Sequence, residues 1–124
     1  MYMKARIFIP YNVPSSKNSK VWTGRFLVNS KTTAKYIKNT KEHWEKEKEA
    51  FLKMLKGKSA PYNIALYFKR DSLRRFDLIN ATQILFDLMQ EYEWIEDDSA
   101  YIVTPVYEGF CIDREDPGVF IYVK

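Results

Sequence analysis

The sequence predicts an α+β domain, a small mixed β-sheet with two main helices packed on it, with residues 1–124 as one unit. Three observations predict it. Two long stretches carry apolar residues at helical spacing, and short alternating runs lie before, between and after them. The length of 124 residues suits one domain. A content of 46% hydrophobic and 16% aromatic residues supplies a core and argues against a disordered chain.

Met3–Ile9 reads as the first strand, with Ala5, Ile7 and Ile9 on one face. Pro10, Pro14 and the Ser/Asn residues that follow force a loop. Val21–Val28 contains a Thr23-Gly24 turn signal and reads as a hairpin arm. Ser30 or Thr32 caps a long helix over Thr33–Lys56, whose Ile37, Thr40, Trp44, Phe51 and Leu55 recur at helical spacing. Tyr62–Lys69 alternates as a strand, and a polar turn, Arg70 to Arg75, follows. A second helix covers Leu78–Tyr92 with Asp77 as its cap. Glu93–Ser99 is an acidic loop, and Ala100–Tyr107 and Val119–Val123 read as closing strands. Asp113–Gly118 between them has turn composition.

Composition excludes several function classes. The one cysteine, Cys111, excludes an internal disulfide framework and a Cys-rich zinc site. With His43 the only histidine, nucleophilic chemistry would need a Cys–His–carboxylate set, and neither residue sits in a nucleophile motif. Cys111 reads as a buried thiol, His43 as solvated, and Trp44 and Trp94 as core anchors. No apolar run approaches the roughly 20 residues of a membrane span, and Met1–Arg6 does not read as a signal peptide. The expected setting is cytoplasmic, without a membrane partner.

The net charge of +4 hides an asymmetry. Residues 1–60 carry 14 Lys/Arg and 4 Asp/Glu, whereas residues 61–124 carry 6 Lys/Arg and 12 Asp/Glu. A basic half suits a polyanion. An acidic half that approaches the same polyanion is explained if some of its carboxylates hold a cation. The alternative is a solvated surface of mixed charge.

The second helix is apolar nearly all round, which predicts burial. Asn80, Gln83 and Asp87 form a narrow polar stripe on it, with Asp77 above. Such a stripe suits a core hydrogen-bond network, a dimer contact or a site. Arg74-Arg75 just before it and Glu96-Asp97-Asp98 beyond it favour a site. Converging carboxylates repel, and a divalent cation relieves the repulsion. Mg²⁺ wants hard oxygen ligands and polarises phosphodiesters. Arg74 and Arg75 are placed to hold flanking phosphates. Lys17, Lys20, Arg25 and Lys31 near Trp22 and Phe26 form a basic, aromatic stretch suited to nucleic acid.

Three stretches resemble the RusA-type Holliday-junction resolvases. Val13-Pro14-Ser15-Ser16-Lys17-Asn18-Ser19-Lys20 is similar to that family's Pro-Pro-Ser-x-Asn loop. Asn29-Ser30-Lys31 through Trp44 resembles the start of its first long helix. Arg74-Arg75-Phe76-Asp77-Leu78-Ile79-Asn80 through Asp98-Ser99 resembles its signature Arg-Arg-x-Asp-x-Asp-Asn-x-x-Lys with a later Asp and a closing Asp-Asp-Ser. The resemblance implies a RusA-like fold and a homodimer that nicks four-way DNA junctions with Mg²⁺, Mn²⁺ being an alternative. It implies catalytic roles for Asp77, Asn80, Gln83 and Asp98, metal binding by Asp77, Asp87, Asp97 and Asp98, and DNA contacts by Lys17, Asn18, Lys20, Arg25, Lys31, Arg74 and Arg75. Two positions depart from the signature. Ile79 stands at its second Asp, and Gln83 at its Lys. Ile cannot bind a metal and also fits a core position. Gln lacks the positive charge of Lys, which weakens stabilisation of transition-state charge. The alternative expectation is therefore a catalytically degenerate module that binds branched DNA or a partner protein.

Overall fold

The computed structural model describes residues 5–15, 20–25 and 27–124. Its elements are β1 (Ile7–Pro10), β2 (Lys20–Trp22), β3 (Leu27–Asn29), α1 (Lys31–Leu55), β4 (Tyr62–Arg70), α2 (Leu78–Glu91), β5 (Val103–Ile112) and β6 (Gly118–Val123). This is the predicted order, and the α+β class holds: two helices lie on a four-stranded mixed sheet. The sheet order is β1-β6-β4-β5, and β2 and β3 form a separate hairpin. β4 and β5 are parallel, and every other pair is antiparallel. A parallel pair needs a crossover, and α2 supplies it. In the chain α2 lies between β4 and β5, which are neighbours in the sheet.

Strand alternation sorts the two faces of the sheet. Ile7, Ile9, Ile64, Leu66, Phe68, Val119, Ile121 and Val123 are buried in one core with Trp44 and Phe51 of α1 and Leu85, Leu88 and Met89 of α2. On the opposite face, the rings of Phe8 and Phe120 lie 4.9 Å apart. Arg6 stacks over Phe120 at 4.7 Å and Lys69 over Phe8 at 4.9 Å. These cations lie over aromatic surface that no helix covers.

α1 begins where the sequence predicts a cap. The Ser30 hydroxyl accepts from the Thr33 amide at 3.2 Å. Its buried residues are Thr33, Tyr36, Thr40, Trp44 and Phe51. A polar ladder runs inside this stripe. Trp44 Nε1 donates to Thr40 Oγ1 at 2.9 Å, and Thr40 Oγ1 donates to the Tyr36 carbonyl at 2.8 Å. Trp44 and Trp94 are core anchors as expected, 0% and 1% exposed.

Several boundaries differ from the sequence reading. β1 starts at Ile7, so Ala5 and Arg6 lie outside the strand, and Met3 and Lys4 lie outside the described residues. β4 runs on through Arg70, which the sequence reading placed in the following turn. β5 begins at Val103, not Ala100, because the Ser99 carbonyl accepts from Ile102 and Val103 and holds 99–102 as a turn. It continues to Ile112 past Gly109, whose φ of 114° coincides with a register shift opposite Leu66–Phe68. Cys111 is therefore half-buried on a strand, not enclosed. His43 is also half-buried, its ring edge-on to Tyr11 at 6.4 Å. α2 is not buried all round: Ile79 is 79% exposed, so it is no core residue.

Candidate functional site

The polar stripe on α2 survives in the fold. Asn80, Gln83, Asp87 and Glu91 of α2 line a cavity of about 200 Å³ together with Asn29 at the end of β3 and Thr33 from the head of α1. Gln83 also lines a second cavity of about 310 Å³ with Ile79, Asp98 and Tyr107. Gln83 thus forms the ridge between the two. Its Nε2 donates to Asp87 Oδ1 at 2.7 Å and to Asp98 Oδ2 at 3.1 Å. Two carboxylates from different segments meet at one amide nitrogen. The first distance is that of a charge-assisted bond.

Each partner is positioned by local structure. Asp87 lies one helical turn after Gln83, so the helix itself brings them together. Asp98 arrives from the acidic loop, which is fastened on both sides. Upstream, Trp94 is buried against Trp44 and Phe51, with ring centroids at 5.0 and 4.8 Å. Downstream, Asp97 Oδ1 accepts from the Ser99 amide at 2.8 Å. The Ser99 hydroxyl and amide hold the Asp97 carboxyl below the usual carboxylate range.

Asp77 has a different local task. It is the cap of α2, and its Oδ1 accepts from the amides of Ile79 at 3.0 Å and Asn80 at 3.1 Å. Asp77, Asp87, Asp97 and Asp98 do not gather as one set. Among the described residues no group of three or more His, Cys, Asp or Glu side chains is placed to hold a metal. What the fold brings together is the pair Asp87 and Asp98 around Gln83. The chemistry of this set fits a hydrated Mg²⁺, which commonly takes only one or two carboxylates. Rotation of the Gln83 amide would offer its oxygen as a third hard donor.

Positions 79, 83 and 98, where the resemblance places an Asp, a Lys and an Asp, do line one cavity. In this chain that cavity holds Ile, Gln and Asp.

The expected DNA contacts divide. Lys17 and Asn18 lie outside the described residues, as does Phe26. Lys20 falls on β2, Arg25 in the turn before β3, and Lys31 is exposed at the first position of α1. Arg74 and Arg75 are exposed and line a cavity of about 550 Å³ with the 12–15 loop and the head of α1.

Sequence reasoning missed Arg70, which belongs to that cavity. It is 6% exposed, its guanidinium lies 4.4 Å over the Phe76 ring, and Nη1 donates to the Val13 carbonyl at 2.6 Å. The signal was present: extending the alternation Ile64, Leu66, Phe68 by one step puts Arg70 on the core face. Against known proteins, the chain matches no family model and no curated sequence. Among the described residues no helix is long and apolar enough to cross a membrane.

Proposed function

We propose that this chain is a Mg²⁺-dependent, structure-selective DNA endonuclease of the RusA type that acts on branched DNA as a homodimer. The observation that carries the reading is the meeting of Asp87 and Asp98 at Gln83 Nε2. The two hydrogens of one amide nitrogen bridge the two acids. A cation held by the same pair would relieve their repulsion further. Asp87 and Asp98 would hold the ion, with Gln83 as an oxygen donor, and Asn80 beside them would orient phosphate or water. Bound there, Mg²⁺ would polarise a phosphodiester. Arg74, Arg75 and Lys31 supply positive charge for the backbone, so binding follows DNA shape more than base sequence. A two-fold dimer matches the symmetry of a four-way junction.

A specific observation favours a second reading, a branched-DNA-binding module that does not cut. The signature position at 79 is an exposed Ile, and Asp77 is engaged as a helix cap. The test is a synthetic four-way junction incubated with Mg²⁺ or Mn²⁺. Symmetric nicks that fall at least a hundredfold in Asp98→Asn and Asp87→Asn support the nuclease. Tight junction binding without nicks in either metal supports the module.

A further inference from the structure

α1 is 25 residues long, and its N-terminus carries no acidic residue in the first turn. Ser30, Thr32 and Thr33 at the head of that helix line the cavity formed with the 12–15 loop and the turn after β4. A helix end of this kind attracts anions, but many helix ends hold none. The second, independent observation is Arg70. It lines the same cavity and is more than nine-tenths buried. No carboxylate forms an ion pair with it among the described residues. Among the described residues its Nη1 and Nη2 reach only neutral oxygens, the Val13 carbonyl and, at 3.4 Å, the Ser15 hydroxyl. Its Nε has no hydrogen-bond partner among the described residues. Burial pulls the guanidinium below its ordinary range. The Phe76 ring face and the charge of Asp71 offset part of the cost of that burial, yet a buried cation with an idle donor is still completed best by an anion.

The surroundings select the anion. Arg74 and Arg75 stand at the mouth with one acid, Asp71, so positive charge dominates. The Asp71 amide donates to Asn12 Oδ1 at 3.1 Å, which ties the turn to the loop. Hydroxyls of Ser15 and Thr32 add neutral donors. Forked guanidinium donors, hydroxyls and helix amides together match tetrahedral phosphate better than a planar carboxylate.

We propose that this cavity binds a phosphate group, with Arg70 as its buried anchor and the head of α1 as its second wall. On the DNA-binding reading above, on which this source rests, the group is a backbone phosphate that fixes the register of the duplex against the Asp87–Asp98 pair. A free or terminal phosphate has the same chemistry, and the test separates them. The Arg70 Nε–H is buried, so its side-chain resonance should be resolved in ¹H–¹⁵N spectra of the full chain. Inorganic phosphate, titrated against chloride at equal ionic strength, should shift that resonance saturably. A four-way junction should shift it at much lower concentration and in the same direction. Thr32→Glu leaves the fold intact, because an acid suits the first turn of a helix, and should weaken both ligands at least tenfold. Arg70→Lys should weaken phosphate similarly. An Arg70 signal unmoved by phosphate, or full phosphate affinity in Thr32→Glu, overturns the site even if the junction still binds elsewhere. A phosphate response with no junction binding keeps the site, assigns it to a free or terminal phosphate, and removes the DNA reading instead.

Discussion

The indole Nε1–H of Trp94 donates to the backbone carbonyl of Trp44 at 2.9 Å, joining residues 50 apart in sequence. Both rings are buried and meet edge to face at 5.0 Å. Through this bond the middle of α1 holds the loop that presents Asp98. Trp94→Phe keeps a ring but removes the donor, and the Trp44 carbonyl is left with its bond inside α1 alone. The lost bond and the smaller ring should cost about 1–2 kcal/mol in urea denaturation. It should also shift the Gln83 side-chain amide resonances, because the loop that delivers Asp98 loosens.

The Gln83 amide separates two carboxylates, so a third acid there should be punishing without a cation. Gln83→Glu places three negative charges together and should lower the thermal midpoint at neutral pH. Millimolar Mg²⁺ should restore it, since a ligand that binds only the folded state stabilises that state. Thermal scans with and without Mg²⁺ test this. An equal midpoint in both conditions would argue that the pair is no cation site.

Gly118 lies opposite Pro10 at the join of β6 and β1. A Cβ built there collides with the Ile9 carbonyl oxygen and the Phe8 ring. The carbonyl belongs to a paired strand and cannot swing aside. Gly118→Ala should therefore destabilise by roughly 1–3 kcal/mol, as overpacking does. Chemical denaturation is the check, and an unchanged midpoint would refute it.

Tyr36 is 3% exposed, and its hydroxyl has no partner among the described residues. Burial pushes that hydroxyl's pKa up from its ordinary value. Removing an unpaired buried hydroxyl while keeping the ring should help. Tyr36→Phe should be neutral or more stable by about 1 kcal/mol. A marked loss of stability would reveal a partner for the hydroxyl.

Stability should fall in acid partly through Asp113. Lys69 lies 3.1 Å from Asp113 and 3.2 Å from Asp116. The Lys69 ammonium, helped by the Asp116 backbone amide, holds Asp113 below the usual carboxylate range. Its folded pKa is lower than its unfolded one. The contribution is thus present above the unfolded value and lost as pH falls through the folded one, below about pH 4. The Lys69 pKa is raised, chiefly by Asp113, so its share is lost only in strong alkali, as pH climbs past the folded value. Asp113→Asn should flatten the drop in thermal midpoint between neutral pH and about pH 2.

Much of this was legible in the sequence. The two helices, the Ser30 and Asp77 caps and the α2 stripe follow from periodicity and cap chemistry. A mixed sheet follows in outline from the order of elements, but which two strands run parallel does not. Pairing of distant segments was not legible. Nothing local says that Asp98, and not Asp77, reaches Gln83, because that depends on Trp94 docking against α1. Arg70 was hidden for a related reason. A charged residue at the end of an apolar run reads as the start of a turn, and only tertiary burial shows it facing inward. Ile79 misled in the opposite direction: an apolar residue on an apolar helix reads as core, yet it faces a cavity mouth.

The tether between the two tryptophans also makes the Gln83 contact answerable to a helix that supplies neither of its bonded acids. The acidic loop hangs from the end of α2 by the bonds of Trp94 and Ile95 to the Met89 carbonyl, and from α1 by the indole. A change at Trp44, far along the chain from residue 98, would therefore be felt where Asp98 meets the amide.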